Sequence, residues 1–269
     1  MKNRRTDSLI ILNRAMLKLR IVLLLALLFP LTSRGQISVL DREYFPDLFI
    51  GVMGGYGLNT YTGSFSTFEG SNECGKFTDG DGSGLLLGLK AEYKLSRRFN
   101  IYGSLVYEDR SGDFNSSVIM APVFISDDKP PQDASLEQNL EVKLNYFSFS
   151  PMIKYKPFDV DLWILLGPAI NFIVTDEITH TESIMQPNEL YFLNKMKSRT
   201  VISGNISSKN SMVLDLKAGL SYGIPLDDNL KVTPEIFYTF PLMKISSDSD
   251  WKVSGIQMYI SFSYGFNKN

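Results

Sequence analysis

The stretch SGLLLGLKAEYKLS, residues 83–96, decides the fold class. Leu85, Leu87, Leu89, Ala91, Tyr93 and Leu95 take every second position, and Leu86, Gly88, Lys90, Glu92 and Lys94 take those between. Successive side chains of an extended strand point to opposite sides, so a period of two sorts the residues onto two faces. Here one face is apolar throughout and the other carries Lys90, Glu92 and Lys94. A helix would scatter these leucines around its circumference; a strand collects them.

The pattern recurs on both sides of this segment. Upstream, Ile50, Val52, Gly54, Tyr56 and Leu58 form a first set. Downstream come Ile101, Gly103, Leu105 and Tyr107, then Phe147, Phe149, Pro151, Ile153 and Tyr155, then Leu162, Ile164, Leu166, Pro168, Ile170 and Phe172. Leu214, Leu216, Ala218, Leu220, Tyr222 and Ile224 make a sixth set, and Val232, Pro234, Ile236, Tyr238, Phe240 and Leu242 a seventh. Met258, Ile260, Phe262, Tyr264 and Phe266 close the series. None of these positions is charged, whereas those between them include Lys154, Lys156, Asp161, Asp215, Lys217, Lys231 and Glu235, with Glu108 and Arg110 in the third segment. The spacing predicts an all-β fold, an eight-stranded antiparallel barrel over residues 47–266.

Alternation alone does not say which face points outward: a soluble barrel packs its apolar face inside, and a membrane barrel turns it to lipid. Three features favour the membrane form. Tyr56, Tyr107, Phe172, Tyr238 and Phe240 fall at one end of the antiparallel array and Tyr93, Tyr155, Tyr222, Tyr264 and Phe266 at the other, as two interfacial girdles do. Connections alternate between tight (96–99, 157–160, 225–230) and long (59–82, 114–140, 176–211), with 246–250 the one short exception among the latter. Short periplasmic turns and long external loops are the rule in such barrels. The aromatic-rich last strand, ending three residues before the terminus, resembles the assembly signal of outer-membrane proteins.

Export is expected as well. Lys2, Arg4, Arg5, Arg14, Lys18 and Arg20 precede an apolar run at 21–31, and Ser33 and Gly35 stand just before Gln36. That is the layout of a signal peptide over 1–35, with Met16 an alternative start; the run is too short, and too interrupted by Pro30, to cross a bilayer as a helix. A short lead at 36–46 follows. Residues 1–35 hold seven basic residues and one acid, so the remainder carries 20 Lys and Arg against 28 Asp and Glu, a formal charge of −8. Nucleic acid is thereby disfavoured as a partner. Cys74, the single cysteine, has no mate for an internal disulfide.

A signal peptide ending before Gln36, Pro157 in a turn, Leu166-Gly167-Pro168 within a strand, Pro234-Glu235-Ile236 and the aromatic finish together resemble the PorT-like outer-membrane β-barrel domain family over about residues 45–266. The resemblance implies a fold and a location in the cell outer membrane. It implies no reaction.

Three local motifs bear on chemistry. Asp79, Asp81 and Ser83 stand at alternate positions of DGDGSG with a glycine at the sixth, like the opening of a calcium loop, but the twelfth position is Lys90, where a bidentate Glu is needed. An acidic loop tip leading into the second strand is the preferred reading, with no metal expected. His180, the only histidine, follows Asp176 and precedes Ser183, which raises a lipid-modifying enzyme as the alternative function; a solvated loop histidine is the simpler account. Pro187 with Leu190, Leu193 and Met196 predicts a short helix at 187–198 in the longest loop. The leading expectation is a non-enzymatic outer-membrane barrel whose lumen is filled by ion pairs and does not conduct, since an eight-strand interior is only wide enough for side chains. Its expected partners are outer-membrane lipid and a protein or surface ligand at the external loops, with no cofactor.

Overall fold

The computed structural model describes residues 46–66, 76–115, 119–123 and 131–266. The expected signal peptide at 1–35, the lead at 36–46 apart from Pro46, and Cys74 lie outside the described residues. Among the described residues there are twelve strands: β1 (Leu48–Ser66), β2 (Lys76–Lys94), β3 (Phe99–Asp109), β4 (Gly112–Asn115), β5 (Ile119–Val123), β6 (Gln132–Tyr155), β7 (Leu162–Gln186), β8 (Ser198–Asn205), β9 (Met212–Tyr222), β10 (Ile224–Pro225), β11 (Leu230–Pro241) and β12 (Lys252–Phe266). No helix occurs among the described residues.

All pairings are antiparallel. β1 pairs with β2, β2 with β3, β3 with β6, β6 with β7, β7 with β9, β9 with β11, β11 with β12, and β12 returns to β1. The circuit of ladders closes on itself, which leaves no free edge among these eight strands where they pair. The remaining strands lengthen it: β4 follows β3 after a break at 110–111 and pairs with β2 and β6, β5 joins the start of β6, β8 joins the end of β7, and β10 joins β11. Tight turns gather at one end, where Ser96 Oγ accepts the Phe99 amide at 3.1 Å and the Leu226 amide donates to the Leu230 carbonyl at 2.8 Å. Leu48 and Phe266 pair at that same end.

Through the lower part of the wall the alternation is inside-out. Every apolar position read from the sequence escapes burial, and Leu85 and Ile153 are 65% and 61% exposed. Their opposite faces place Lys90, Glu92, Glu108, Arg110, Lys154, Asp215, Lys217 and Glu235 in the interior. Register carries Tyr93, Phe99, Tyr155, Tyr222, Tyr264 and Phe266 to the short-turn rim, where Phe99 and Tyr155 meet at 5.0 Å between centroids. The aromatics Tyr56, Tyr107, Phe147, Phe172 and Phe240 mark the other boundary of the belt. An apolar outer belt between two aromatic rings, over a polar interior, is what a hydrocarbon surrounding selects.

Above that boundary the structure departs from the expected loops. Residues 59–66 and 76–82 are strand, since β1 runs to Ser66 and β2 starts at Lys76; β6 begins at Gln132, and β7 continues to Gln186 with β8 beside it. The alternation does not stop there; its chemistry changes sides. In β6 the outward residues pass from Ile153, Phe149 and Phe147 to Asn145, Lys143, Glu141, Asn139 and Glu137, while the inward ones pass from Lys154, Met152, Ser150 and Ser148 to Tyr146, Leu144, Val142, Leu140, Gln138 and Leu136, of which Gln138 alone in the upper run is polar and donates to Glu182. A search for an outward apolar face ends at Phe147 although the ladder goes on. In β7 a bulge beside Val174 shifts the inward phase, so that Asn171 below it and Asp176, Ile178, His180, Glu182 and Ile184 above it all face in.

Two glycines make close approaches possible. A Cβ on Gly219 would overlap the Phe237 ring and the Ile236 carbonyl, so only glycine lets that ring lie on the wall. Gly63 has φ 126° at the register shift in β1, and a side chain there would strike the Asp250 carbonyl. The β6–β7 ladder is interrupted between Phe149↔Ile170 and Ile153↔Leu166, where Pro151 and Pro168 occupy the seam and neither has an N–H to give.

Candidate functional site

Inside the belt the charges are paired. Glu92 accepts from Lys154 Nζ and Lys231 Nζ, both at 2.9 Å, and from Asn100 Nδ2 at 2.6 Å. Lys90 Nζ donates to Glu235 Oε1 at 2.7 Å, and the Tyr102 hydroxyl donates to Oε2 of the same carboxylate at 3.0 Å. Higher up, Glu108 Oε2 accepts from Arg110 Nε at 2.9 Å, Arg110 Nη2 at 2.7 Å and Gln257 Nε2 at 2.7 Å. Lys217 lies 3.7 Å from Glu108 Oε1, and Asn171 Nδ2 donates to Asp215 Oδ2 at 2.8 Å. Charges taken out of water need partners of this kind, and breaking such a pair costs about 3–5 kcal/mol.

The lumen is not filled by charge alone. Met53, Leu86, Val106, Met152, Leu165 and Phe237 are buried among the ion pairs, and the cations lie over rings: Lys217 4.8 Å from the Phe237 centroid, Lys154 5.1 Å from Trp163, Lys231 3.8 Å from Phe49. Above the Arg110 level, the interior is largely apolar, with Asp176, His180, Glu182 and Gln138 buried beside the apolar side chains. Tyr61, Phe77, Phe114, Trp251, Leu140 and Ile178 pack there, with Tyr61 and Phe114 at 5.0 Å and Phe114 and Trp251 at 5.7 Å between centroids. The Tyr61 hydroxyl donates to the Arg110 carbonyl, joining this core to the charged level below. Sequence reading of the charges alone missed it; inward Leu140, Val142 and Leu144 were its visible trace.

The strands at the long-connection end carry a third cluster. Val123, Ala134, Leu136 and Ile184 come from β5, β6 and β7, and Leu190 and Phe192 fold back over them from the connection 187–197. Arg199 lies 4.6 Å over the Phe192 ring and donates from Nε and Nη2 to Glu182 Oε2 at 3.0 and 2.8 Å. The helix predicted at 187–198 is therefore absent. Of its apolar stripe only Leu190 is buried, while Leu193 and Met196 are exposed, because a turn with Lys195 at φ 60° reverses the chain instead.

The candidate chemical residues take different places from those expected. His180 is not in a loop but within β7, buried, with its ring edge-on to Phe77 at 5.3 Å. Burial holds its pKa below the ordinary value, with Glu182 pulling the other way. Ser183 lies an odd number of places along the same strand and so faces outward, away from His180. Asp176 shares the inward face but is ion-paired with Lys209, four places and about 13 Å of strand from His180. The three do not converge. Asp79, Asp81 and Ser83 likewise lie inside β2, not in a loop, all exposed on one face and spread over about 13 Å. Ser83 Oγ accepts the Tyr56 hydroxyl at 2.6 Å, and Asp81 pairs across the sheet with Asp113, whose pKa is raised by burial and by Glu141 and Asp81 beside it. No group of three or more His, Cys, Asp or Glu side chains suited to a metal ion occurs among the described residues.

No protein-family model matches the chain, and no curated protein matches it. Among solved structures, it is similar to the attachment invasion locus protein Ail of Yersinia pestis (13% identity, TM-score 0.33, covering 80% of this chain and 98% of that one). It is similar also to the outer membrane protein OprG of Pseudomonas aeruginosa (13%, 0.41, 83% and 98%) and to Neisserial surface protein A (10%, 0.32, 81% and 97%). At such scores the likeness assigns no ligand and no reaction.

Proposed function

We propose that the chain is an eight-stranded barrel of the cell outer membrane, with a sealed lumen and an external extension that serves a structural or binding role. The observation that carries this reading is the exchange of polarity within single strands, seen most plainly in β6 at Phe147 and Asn145. Eight is the number of members in the closed circuit of ladders, with β4, β5, β8 and β10 counted as extensions of them. The belt contacts membrane lipid, the tight turns face the periplasm, and the extension stands outside. On the motifs quoted from its sequence the chain is grouped with the PorT-like barrels.

Two layers support a sealed lumen: the ion-paired level around Glu92 and Glu108, and the aromatic core of Tyr61, Phe114 and Trp251 above it. Catalysis is no part of the proposal, because a nucleophile must lie within hydrogen-bond reach of its base and Ser183 faces away from His180. The test is conductance. Protein recovered from outer-membrane fractions as a heat-modifiable band and reconstituted in planar bilayers is expected to stay at background current; discrete openings well above background would overturn the sealed lumen.

A further inference from the structure

The extension has an open side. Its wall runs from β12 through β1, β2, β4, β6 and β7 to β8 and then stops: β8 pairs with β7 alone among the described residues, and β9 and β11, which close the circuit in the belt, do not reach this height. Isolated contacts at the foot of the gap, Lys209↔Ser246 and the Ser247 amide to the Ser208 carbonyl, tie the connections below it without forming a ladder. A strand edge left in this way displays main-chain donors and acceptors.

The Ile206 amide donates to the Asp176 carbonyl, so Ile206 bonds towards β7. In an antiparallel ladder such residues alternate, which turns the amides and carbonyls of Ser203 and Asn205 to the open side. Nothing on β8 blocks that side. The strand SRTVISGN contains no proline, and its one charged side chain, Arg199, is held by Glu182. From 190 to 214 the chain has no acid but contains Lys195, Lys197, Arg199 and Lys209. Arg199 and Lys209 are neutralised by Glu182 and Asp176, which leaves Lys195 and Lys197, the latter 5.7 Å over the Tyr191 ring, without an ion pair among the described residues at the entry to β8.

We propose that the free edge of β8 receives an extended, acidic segment of a partner protein by strand addition, with main-chain bonds to Ser203 and Asn205 and charge attraction to Lys195 and Lys197. A second copy is not the occupant: copies sharing one bilayer are related by an axis along its normal, which sets like strands parallel and cannot give an antiparallel β8 pair. The inference rests on the extension being exposed outside the membrane.

The test uses full-length protein folded in detergent micelles, each variant first checked for heat-modifiable migration, so that a failed barrel is distinguished from a failed edge. The probe is a fluorescent eight-residue peptide of alternating Val and Glu, set against its Val and Lys counterpart and against dextran sulfate, with anisotropy as readout. The expected result is binding of the acidic peptide at least ten-fold tighter than of the basic one. Binding should fall at least ten-fold in Ser203→Pro, which removes an outward N–H that β7 does not use, and be kept in Ser203→Ala. Absence of binding, or binding equal in Ser203→Pro and wild type, overturns the proposal. Preference for dextran sulfate with no effect of the proline overturns it in favour of a simple polyanion surface.

Discussion

At the scale of the residue, the deciding variable is the medium each side chain meets. Leu166 is exposed on the outer face at mid-belt, while Ala169, three places on, is buried inside. Leu166→Arg is expected to cost about 2–4 kcal/mol of folding free energy in lipid vesicles, measured by urea titration, because an outward cation at that depth meets hydrocarbon. The same change at Ala169 adds a cation to a lumen already lined by ion pairs, so its penalty comes from crowding. An equal cost at both sites in detergent and in lipid would show that the belt does not face a bilayer. The outward set was legible from sequence because each member needs only its own apolar character and an even spacing. Partners inside were not: that Lys90 meets Glu235 and Lys154 meets Glu92 depends on how the wall curves, which spacing alone does not encode.

At the scale of the element, β7 shows where legibility stops. Leu162 to Phe172 read correctly, but beyond Phe172 the bulge at Val174 shifts the phase and the outward face turns polar, so the strand looked like a loop. His180 was misplaced for that reason. Its position gives a pH dependence. The folded pKa is held below the ordinary value, so the unfolded state binds more protons through the window from that lowered value up to about 6.5, and stability rises with pH there and levels off above it. Trp251, in the core that His180 joins through Phe77 and Phe114, reports on this region. The urea midpoint followed by Trp251 fluorescence in a Trp163→Phe background is expected to fall between pH 7.5 and pH 5. In His180→Gln that fall should shrink. An unchanged slope there would assign the pH response to other groups.

On the scale of the whole molecule, the barrel consists of two solutions to burial stacked on one set of strands. The belt turns an apolar face outward and holds ion pairs inside; the extension turns a polar face outward around a largely apolar core. The two tryptophans happen to report one each, Trp163 in the belt and Trp251 above it. In vesicles, single-tryptophan variants are expected to give two separated urea transitions, Trp251 first, since the extension lacks both the bilayer and, beyond β8, a closed ladder. Coincident transitions would mean one cooperative unit. The outward apolar set of the belt is legible in the sequence as one period-two rule; the extension is not, because the polarity of the two faces reverses along the same strands.

The lengths of β6 and β7, 24 and 25 residues where about 9–11 suffice to span, bear on how the protein is made. The outer half of this hairpin carries Lys143, Glu141 and Glu177 on its surface and a hydrophobic core within, and the lumen beside it is already occupied. With the extension placed outside the membrane, as proposed, this half could not be folded on the inner side and passed through. On that placement delivery has to precede folding: the hairpin crosses as unpaired chain, and its apolar core condenses only on arrival.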